Sequence, residues 1–273
     1  ENFAAQVAMG VQNARLAEAN IERERFKEEL NLARSIQKSL LPAEVPPVPG
    51  FSIAADSIAS NHVGGDYYDV IPLGDGRVAL AIADVSGKGA AAALLMSALQ
   101  ATLHTLLRRP FPVEEVVAAL NEQTCRRMPA DKFITFFLAF LEPATGELTY
   151  CCAGHDPPLI IDRSGDAGEL TSGGLVLGVA PKAEYAFGRS TLEAGDLLVL
   201  YTDGVTETME RTVGDEVREF GRERLRRTVA RHREEGARDI FSELLRVLDS
   251  FRGDVPRTDD VTALIVKRIE AKA

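Results

Sequence analysis

Apolar positions in the first 41 residues recur at a 4-3-4-3-4 spacing: Phe3, Val7, Gly10, Ala14, Ala17 and Ile21. Phe26, Leu30, Ala33, Gln37 and Leu40 repeat that spacing, but the step from Ile21 to Phe26 is five. The segment has no proline and many Ala, Glu, Arg and Leu, all good helix formers. It therefore predicts one long helix with a heptad-like stripe and a phase break. The Pro-rich run over 42–50 stops that helix and holds the next residues extended. Beyond it the apolar period shortens. Strands are predicted over 51–57, 65–71, 78–85, 133–141, 147–152, 159–162, 184–191, 196–201 and 261–269, and helices over 90–107, 113–127, 223–232 and 239–251. Many strands joined by turns, with helices in two pairs, indicate an α+β layered fold.

Composition narrows the function. The 273 residues include 31 Lys and Arg against 41 Asp and Glu, a formal charge of −10. Six acidic and six basic residues balance within 1–41, so the whole excess lies beyond it. An acidic chain is a poor partner for nucleic acid or an anionic membrane surface, which attract clustered Lys and Arg. No window approaches the ~18 apolar residues of a membrane span. Cys125, Cys151 and Cys152 have neither disulfide-framework nor zinc spacing, which fits reduced thiols in the cytoplasm. The chain opens without Met inside a helical pattern, as expected of a piece of a longer protein.

Four aspartate clusters carry the chemistry. They are Gly64-Gly-Asp-Tyr-Tyr-Asp69, Asp84-Val-Ser-Gly-Lys-Gly89, Tyr201-Thr-Asp-Gly-Val-Thr-Glu207 and Thr258-Asp-Asp-Val-Thr262. Each stands at the end or start of a strand. Asp and Gly are common turn residues, so one such cluster alone reads as a turn. Aspartate is disfavoured in strands, however, and a buried carboxylate is costly unless paired or bound to metal. Four together point to carboxylates gathered at one sheet edge, where hard divalent cations find oxygen ligands. Two look-alikes fail. Gly64-Gly65-Asp66 is followed by Tyr-Tyr where a diguanylate cyclase needs Glu-Phe, and Ser86-Gly-Lys-Gly lacks the flanks of a P-loop.

In this order the clusters resemble the SpoIIE-like branch of the PPM family, the metal-dependent serine/threonine protein phosphatases. Ala33-Arg-Ser-Ile-Gln-Lys-Ser-Leu-Leu-Pro42, Ala92-Ala-Leu-Leu-Met96 and Ala153-Gly-His-Asp-Pro-Pro158 complete the likeness, which covers roughly residues 26 to 270. The resemblance implies an αββα layered β-sandwich flanked by helices, preceded by the long N-terminal linker helix. It implies two Mn2+ or Mg2+ ions between the sheets. Asp84 would bridge them, with the backbone carbonyl of Val85, Asp203, Asp259 and Asp66 in support; Asp69 and Asp260 are expected just behind these ligands. Asp84, Asp203 and Asp66 would be the catalytic set, with water activated at the ions attacking phosphoserine or phosphothreonine. No protein nucleophile is needed, which fits the lack of a Ser-His-Asp or cysteine signature.

The resemblance also implies the organisation. Residues 1–41 would be a signalling and dimerisation helix at the tail of an upstream sensor region in the same chain. Residues 42–50 would be a linker and 51–270 the phosphatase domain, acting on a phosphorylated anti-sigma-factor antagonist in a bacterial stress response. The chain departs from the wider family at Ser86, where the eukaryotic branch has a histidine read as general acid, and at Asn61 and His62, where a phosphate-gripping arginine is absent. Lys88 is a candidate phosphate contact or a solvated loop lysine. His155 is expected to be structural, and His104 and His232 have no evident partners. The competing readings are a catalytically silent binding module with this fold, against which all the aspartates stand, and a hydrolase of small phosphate esters.

Overall fold

The computed structural model describes residues 2–61, 63–211 and 217–269. In chain order the elements are α1 (Asn2–Lys38), β1 (Phe51–Ile58), β2 (Tyr67–Pro72), β3 (Val78–Val85), α2 (Ala90–Leu106), α3 (Val113–Arg127), β4 (Ile134–Leu141), β5 (Glu147–Ala153), β6 (Leu159–Ile161), β7 (Ala167–Glu169), β8 (Gly173–Gly174), β9 (Gly188–Thr191), β10 (Leu197–Tyr201), α4 (Asp203–Thr206), β11 (Met209–Arg211), β12 (Val217–Glu219), α5 (Gly221–Arg231), α6 (Ala237–Arg252) and β13 (Val261–Arg268). One sheet runs β1-β13-β10-β6-β7. A second runs β2-β3-β4-β5-β8, with β9 also on β5.

The core is three apolar layers set by strand alternation. On β3, Ala79, Ala81, Ala83 and Val85 face α2 and α3, where Met96, Leu99, Leu103, Val116, Val117 and Leu120 fill the layer. Val78, Leu80 and Ile82 point the other way, onto Leu198, Leu200, Leu264 and Val266 of the opposite sheet. On β10 and β13, Leu197, Val199, Tyr201, Ala263 and Ile265 pack under α5 and α6 through Leu225, Val229, Ile240 and Leu244. Both faces of β3, β10 and β13 are therefore buried, which is why their sequences are continuous apolar runs. The result is the expected helix–sheet–sheet–helix sandwich.

Element types match the pattern, with departures where side chains carry little signal. β7 and β8 are two or three residues long, Gly-containing and partly exposed, and no periodicity marked them. The strand expected over 184–191 starts only at Gly188, where the residue must lie flat on Tyr150: a Cβ there would stand 2.3 Å from the ring.

The second apolar seam of α1 is covered only beyond its first residue. Phe3, Ile21 and Phe26 are exposed, whereas Leu30, Ala33, Gln37 and Leu40 are half-buried, and Gln37 hydrogen-bonds Gly64 of the domain. Val7 and Ala14 of the first seam lie outside the described side chains. Leu41 and Val45 then pack onto the core, so the proline run is a tether rather than a free linker. No helix among the described residues is long and apolar enough to cross a membrane.

Candidate active site

The same alternation decides where the aspartates go. Residues 78, 80 and 82 face the inter-sheet layer, so Asp84 does too. Tyr68 and Val70 face it, so Asp66 does as well. Asp66 is 5% exposed, and its Oδ2 accepts hydrogen bonds from Thr202 Oγ1 at 2.7 Å and Thr262 Oγ1 at 2.5 Å. Both donors come from the opposite sheet and continue its inward-facing rows, 198-200-202 and 266-264-262. Sequence reasoning assigned neither threonine. The signal was available, since each sits at the inward parity of its strand.

Asp84 lies within hydrogen-bond reach of Asp66 and feels the charges of Asp203, Asp259 and Asp260. Burial, then that repulsion, pushes its carboxyl up to about 7. Asp203 opens α4 and is pushed up to about 6 by burial and by Glu207, Asp259 and Asp156. Asp66 is raised as well, first by burial and then by Asp84. Asp260 is buried and fixes backbone: its Oδ1 accepts from Ser60 N–H at 2.8 Å, its Oδ2 from Gly65 N–H at 2.9 Å. Gly204 lets α4 lie on that strand end, because a Cβ there would stand 1.9 Å from the Asp260 carbonyl. Asp259 pairs with Lys88 Nζ at 2.7 Å, which places this half-exposed lysine at the pocket rim.

The pocket thus gathers Asp66, Asp84, Asp203, Asp259 and Asp260. Asp69 does not join them. It sits on the opposite face of β2, accepting a hydrogen bond from Tyr67 Oη at 2.8 Å and pairing with His104 Nε2 at 2.7 Å. The place expected for Asp69 behind the ligands is therefore not where its bonds put it. Alternation is the reason: residues 67, 69 and 71 face α2, not the second sheet. The pair also gives His104 a partner, as Glu235 and Glu243 do for His232. His62 lies outside the described residues.

A divalent cation suits these donors in kind. They are oxygens only, and burial followed by mutual repulsion raises the carboxyls of Asp66, Asp84 and Asp203. The Val85 carbonyl is accessible from the Asp66 loop because residue 65 is glycine; a Cβ there would stand 2.8 Å from it. Among the described residues, however, no three His, Cys, Asp or Glu side chains are drawn together tightly enough to hold an ion as placed.

Other candidates for chemistry are closed off. His155 donates Nε2–H to the Tyr201 carbonyl at 3.1 Å and its Nδ1 pairs with the Thr135 hydroxyl at 2.8 Å; burial lowers it to about 4, so it is neutral and tied between sheets. Burial pushes the Cys151 and Cys152 thiols up to about 12 and 11, leaving no thiolate nucleophile there.

Comparison with known proteins places the chain. The family described as Stage II sporulation protein E (SpoIIE) matches residues 74–269. Phosphoserine phosphatase RsbU of Bacillus subtilis is 31% identical over 248 residues, 89% of this chain and 71% of the relative. Protein IcfG of Synechocystis is 28% identical over 88% of this chain, which spans only 41% of it. The solved RsbU and RsbW domains of Rv1364c from Mycobacterium tuberculosis superpose with a TM-score of 0.73 at 28% identity, covering 86% of this chain and 64% of that one. RsbX in complex with magnesium shares the fold, with a TM-score of 0.58 at 18% identity over 82% of this chain and 98% of that one.

Proposed function

Because this chain belongs to the SpoIIE family of serine/threonine phosphatases, we propose that it hydrolyses phosphoserine and phosphothreonine with water activated at the inter-sheet acidic pocket. The observation that carries this is the gathering of five aspartates from four separate motifs at one end of the sandwich, with three of their carboxyls raised by burial and mutual repulsion. Such a cluster offers the all-oxygen chemistry that two divalent cations, Mn2+ or Mg2+, take, and the magnesium bound by RsbX supports the type. Asp84, the Val85 carbonyl, Asp203 and Asp259 would hold them, with Asp66 in support. Bound there, the cations supply water acidified for attack on phosphorus and charge to offset the phosphoryl oxygens.

The protein's own part is orientation. Thr202 and Thr262 aim Asp66 and keep its Oδ2 occupied. Asp260 locks Ser60 and Gly65. Lys88 brings an ammonium to the mouth of the pocket, where a phosphoryl group would enter. The substrate we favour is a phosphorylated anti-sigma-factor antagonist, supported by the likeness to RsbU and to a chain that joins RsbU and RsbW domains. The three free cysteines fit a cytoplasmic setting.

Titrating Mn2+ and Mg2+ into the protein with a phosphoserine peptide is expected to give saturable turnover that a chelator abolishes. Cation binding with no turnover on any phosphopeptide or aryl phosphate would favour the silent binding module and defeat this reading.

The same proposal covers residues 1–41 as a signalling helix below a sensor domain. Met9, Leu16, Ile21 and Phe26 are each more than half exposed, which supports pairing with a second copy. Sedimentation of the full chain is expected to give a dimer, and a monomer at micromolar concentration counts against it.

A further inference from the structure

A second ammonium lies against the loop that follows Asp84. The β3–β4 pairing ends with Val85 beside Ile134, and two further bonds carry it past the strand ends. Ser86 N–H donates to the Phe133 carbonyl at 2.9 Å, and Ser86 Oγ accepts from Phe133 N–H at 2.9 Å. They bring Lys132 onto Gly87. That glycine has a φ of +95°, and a Cβ on it would stand 2.7 Å from Lys132 Nζ. The missing side chain is what lets the ammonium rest on the loop. Gly87 stands between Val85, whose carbonyl faces the pocket, and Lys88, which marks its rim. Lys88 is engaged by the Asp259 carboxylate and the Thr258 carbonyl. Lys132 is not matched in this way. Its side chain is 29% exposed, and the one carboxylate among the described residues within 4.0 Å is that of Asp131, itself 78% exposed. An ammonium drawn largely out of water without a close partner gains from an anion that reaches it.

We propose that Lys132 is a substrate-binding residue: resting on Gly87 at the pocket mouth, its ammonium takes up an anionic oxygen of the phosphorylated substrate. This rests on the phosphatase reading of the pocket. The oxygen belongs to the phosphoryl group itself or to a carboxylate beside the phosphorylated residue. The bond is the same in either case, an N–H of the ammonium donated to a charged oxygen. The backbone bonds between Ser86 and Phe133 hold the ammonium's base in place before the substrate arrives, so little ordering remains to be done.

The test uses the full chain with Lys132→Gln and Lys132→Arg at saturating Mn2+. Turnover is followed on an aryl phosphate and on two phosphoserine peptides, one with Glu and one with Gln beside the phosphoserine. Mn2+ affinity is measured for each variant, and rates are read well below its thermal midpoint. A hydrogen bond to a charged group is worth about 10-fold or more in binding, so Lys132→Gln is expected to raise KM by about that factor while kcat and Mn2+ affinity hold. Lys132→Arg, which keeps the charge, is expected to recover most of the loss. A rise in KM on all three substrates assigns the oxygen to the phosphoryl group. A rise confined to the Glu peptide assigns it to the flanking carboxylate. An unchanged KM on every substrate overturns the proposal. So does a fall in kcat or Mn2+ affinity at unchanged KM, which would make Lys132 a prop for the Ser86–Gly89 loop. If the wild type turns over none of the substrates, the phosphatase reading falls and takes this proposal with it. An active wild type with unaltered variants overturns this proposal alone.

Discussion

Replacing Asp84 or Asp203 by Asn is expected to lower phosphatase turnover by on the order of 10³-fold, with the fold retained. Asn preserves the shape of Asp and one acceptor oxygen but removes the charge. Asp84 stands at the end of a strand buried on both faces, beside Asp66 and within the field of Asp203, Asp259 and Asp260. A cation held there draws on their combined charge, so removing one carboxylate weakens the whole set rather than one contact. Turnover of a phosphoserine peptide across a Mn2+ titration is the measurement. A variant that regains wild-type kcat at high Mn2+ would show that its carboxylate only raises affinity. A variant unchanged at all Mn2+ concentrations would remove that aspartate from the site. Asp69→Asn is the contrast, because that carboxylate faces α2; it is expected to leave Mn2+ affinity near wild type.

The second large effect concerns the chelated protein. The Asp84 carboxyl moves from an ordinary 3.8 to about 7 in the fold, and Asp203 from 3.8 to about 6. A raised carboxyl means that the folded state binds more protons than the unfolded one. Stability is then fully present below about pH 4 and is lost as pH rises through 6 to 7. The rise at Asp84 corresponds to a few kcal/mol, or on the order of 10 °C in thermal midpoint for a domain of this size. In chelator the midpoint is expected to fall from pH 5 to pH 8, and Mn2+ or Mg2+ to restore it at pH 8. Asp84→Asn should melt above wild type at pH 8 in chelator and gain less from the cation. A wild-type midpoint flat between pH 5 and 8, or an identical profile in the Asn variant, would refute the argument. Together the two predictions place a trade-off in one residue: the charge that serves function burdens the empty fold.

The sandwich was legible in the sequence because its strands are buried on both faces and so stand out as apolar runs ending in aspartate. The types and approximate limits of β3, β13, α2 and α3 followed from periodicity alone. What stayed hidden were contacts across long separations. Thr202 and Thr262 look like ordinary strand-end threonines until the two sheets are stacked. Gln37 looks like one more position in a helical stripe until its amide meets Gly64. Asp69 looked like its neighbour Asp66 because they share a motif. Strand parity, applied residue by residue, separates them: one faces the other sheet and the other faces a helix.

Asp66 comes from one sheet, and the hydroxyls that aim it come from the other, 136 and 196 positions later. Neither half of the sandwich can assemble the pocket alone. During synthesis a chain that has already packed β2 and β3 against α2 and α3 still lacks Asp259 and Thr262, which follow Val85 by more than 170 positions. β13, which carries Thr262, lies between β1 and β10 and completes the first sheet. A chain cut before β13 lacks the Thr262 hydroxyl that bonds Asp66, and it is expected to show no phosphatase turnover even where β2 to β5 pair.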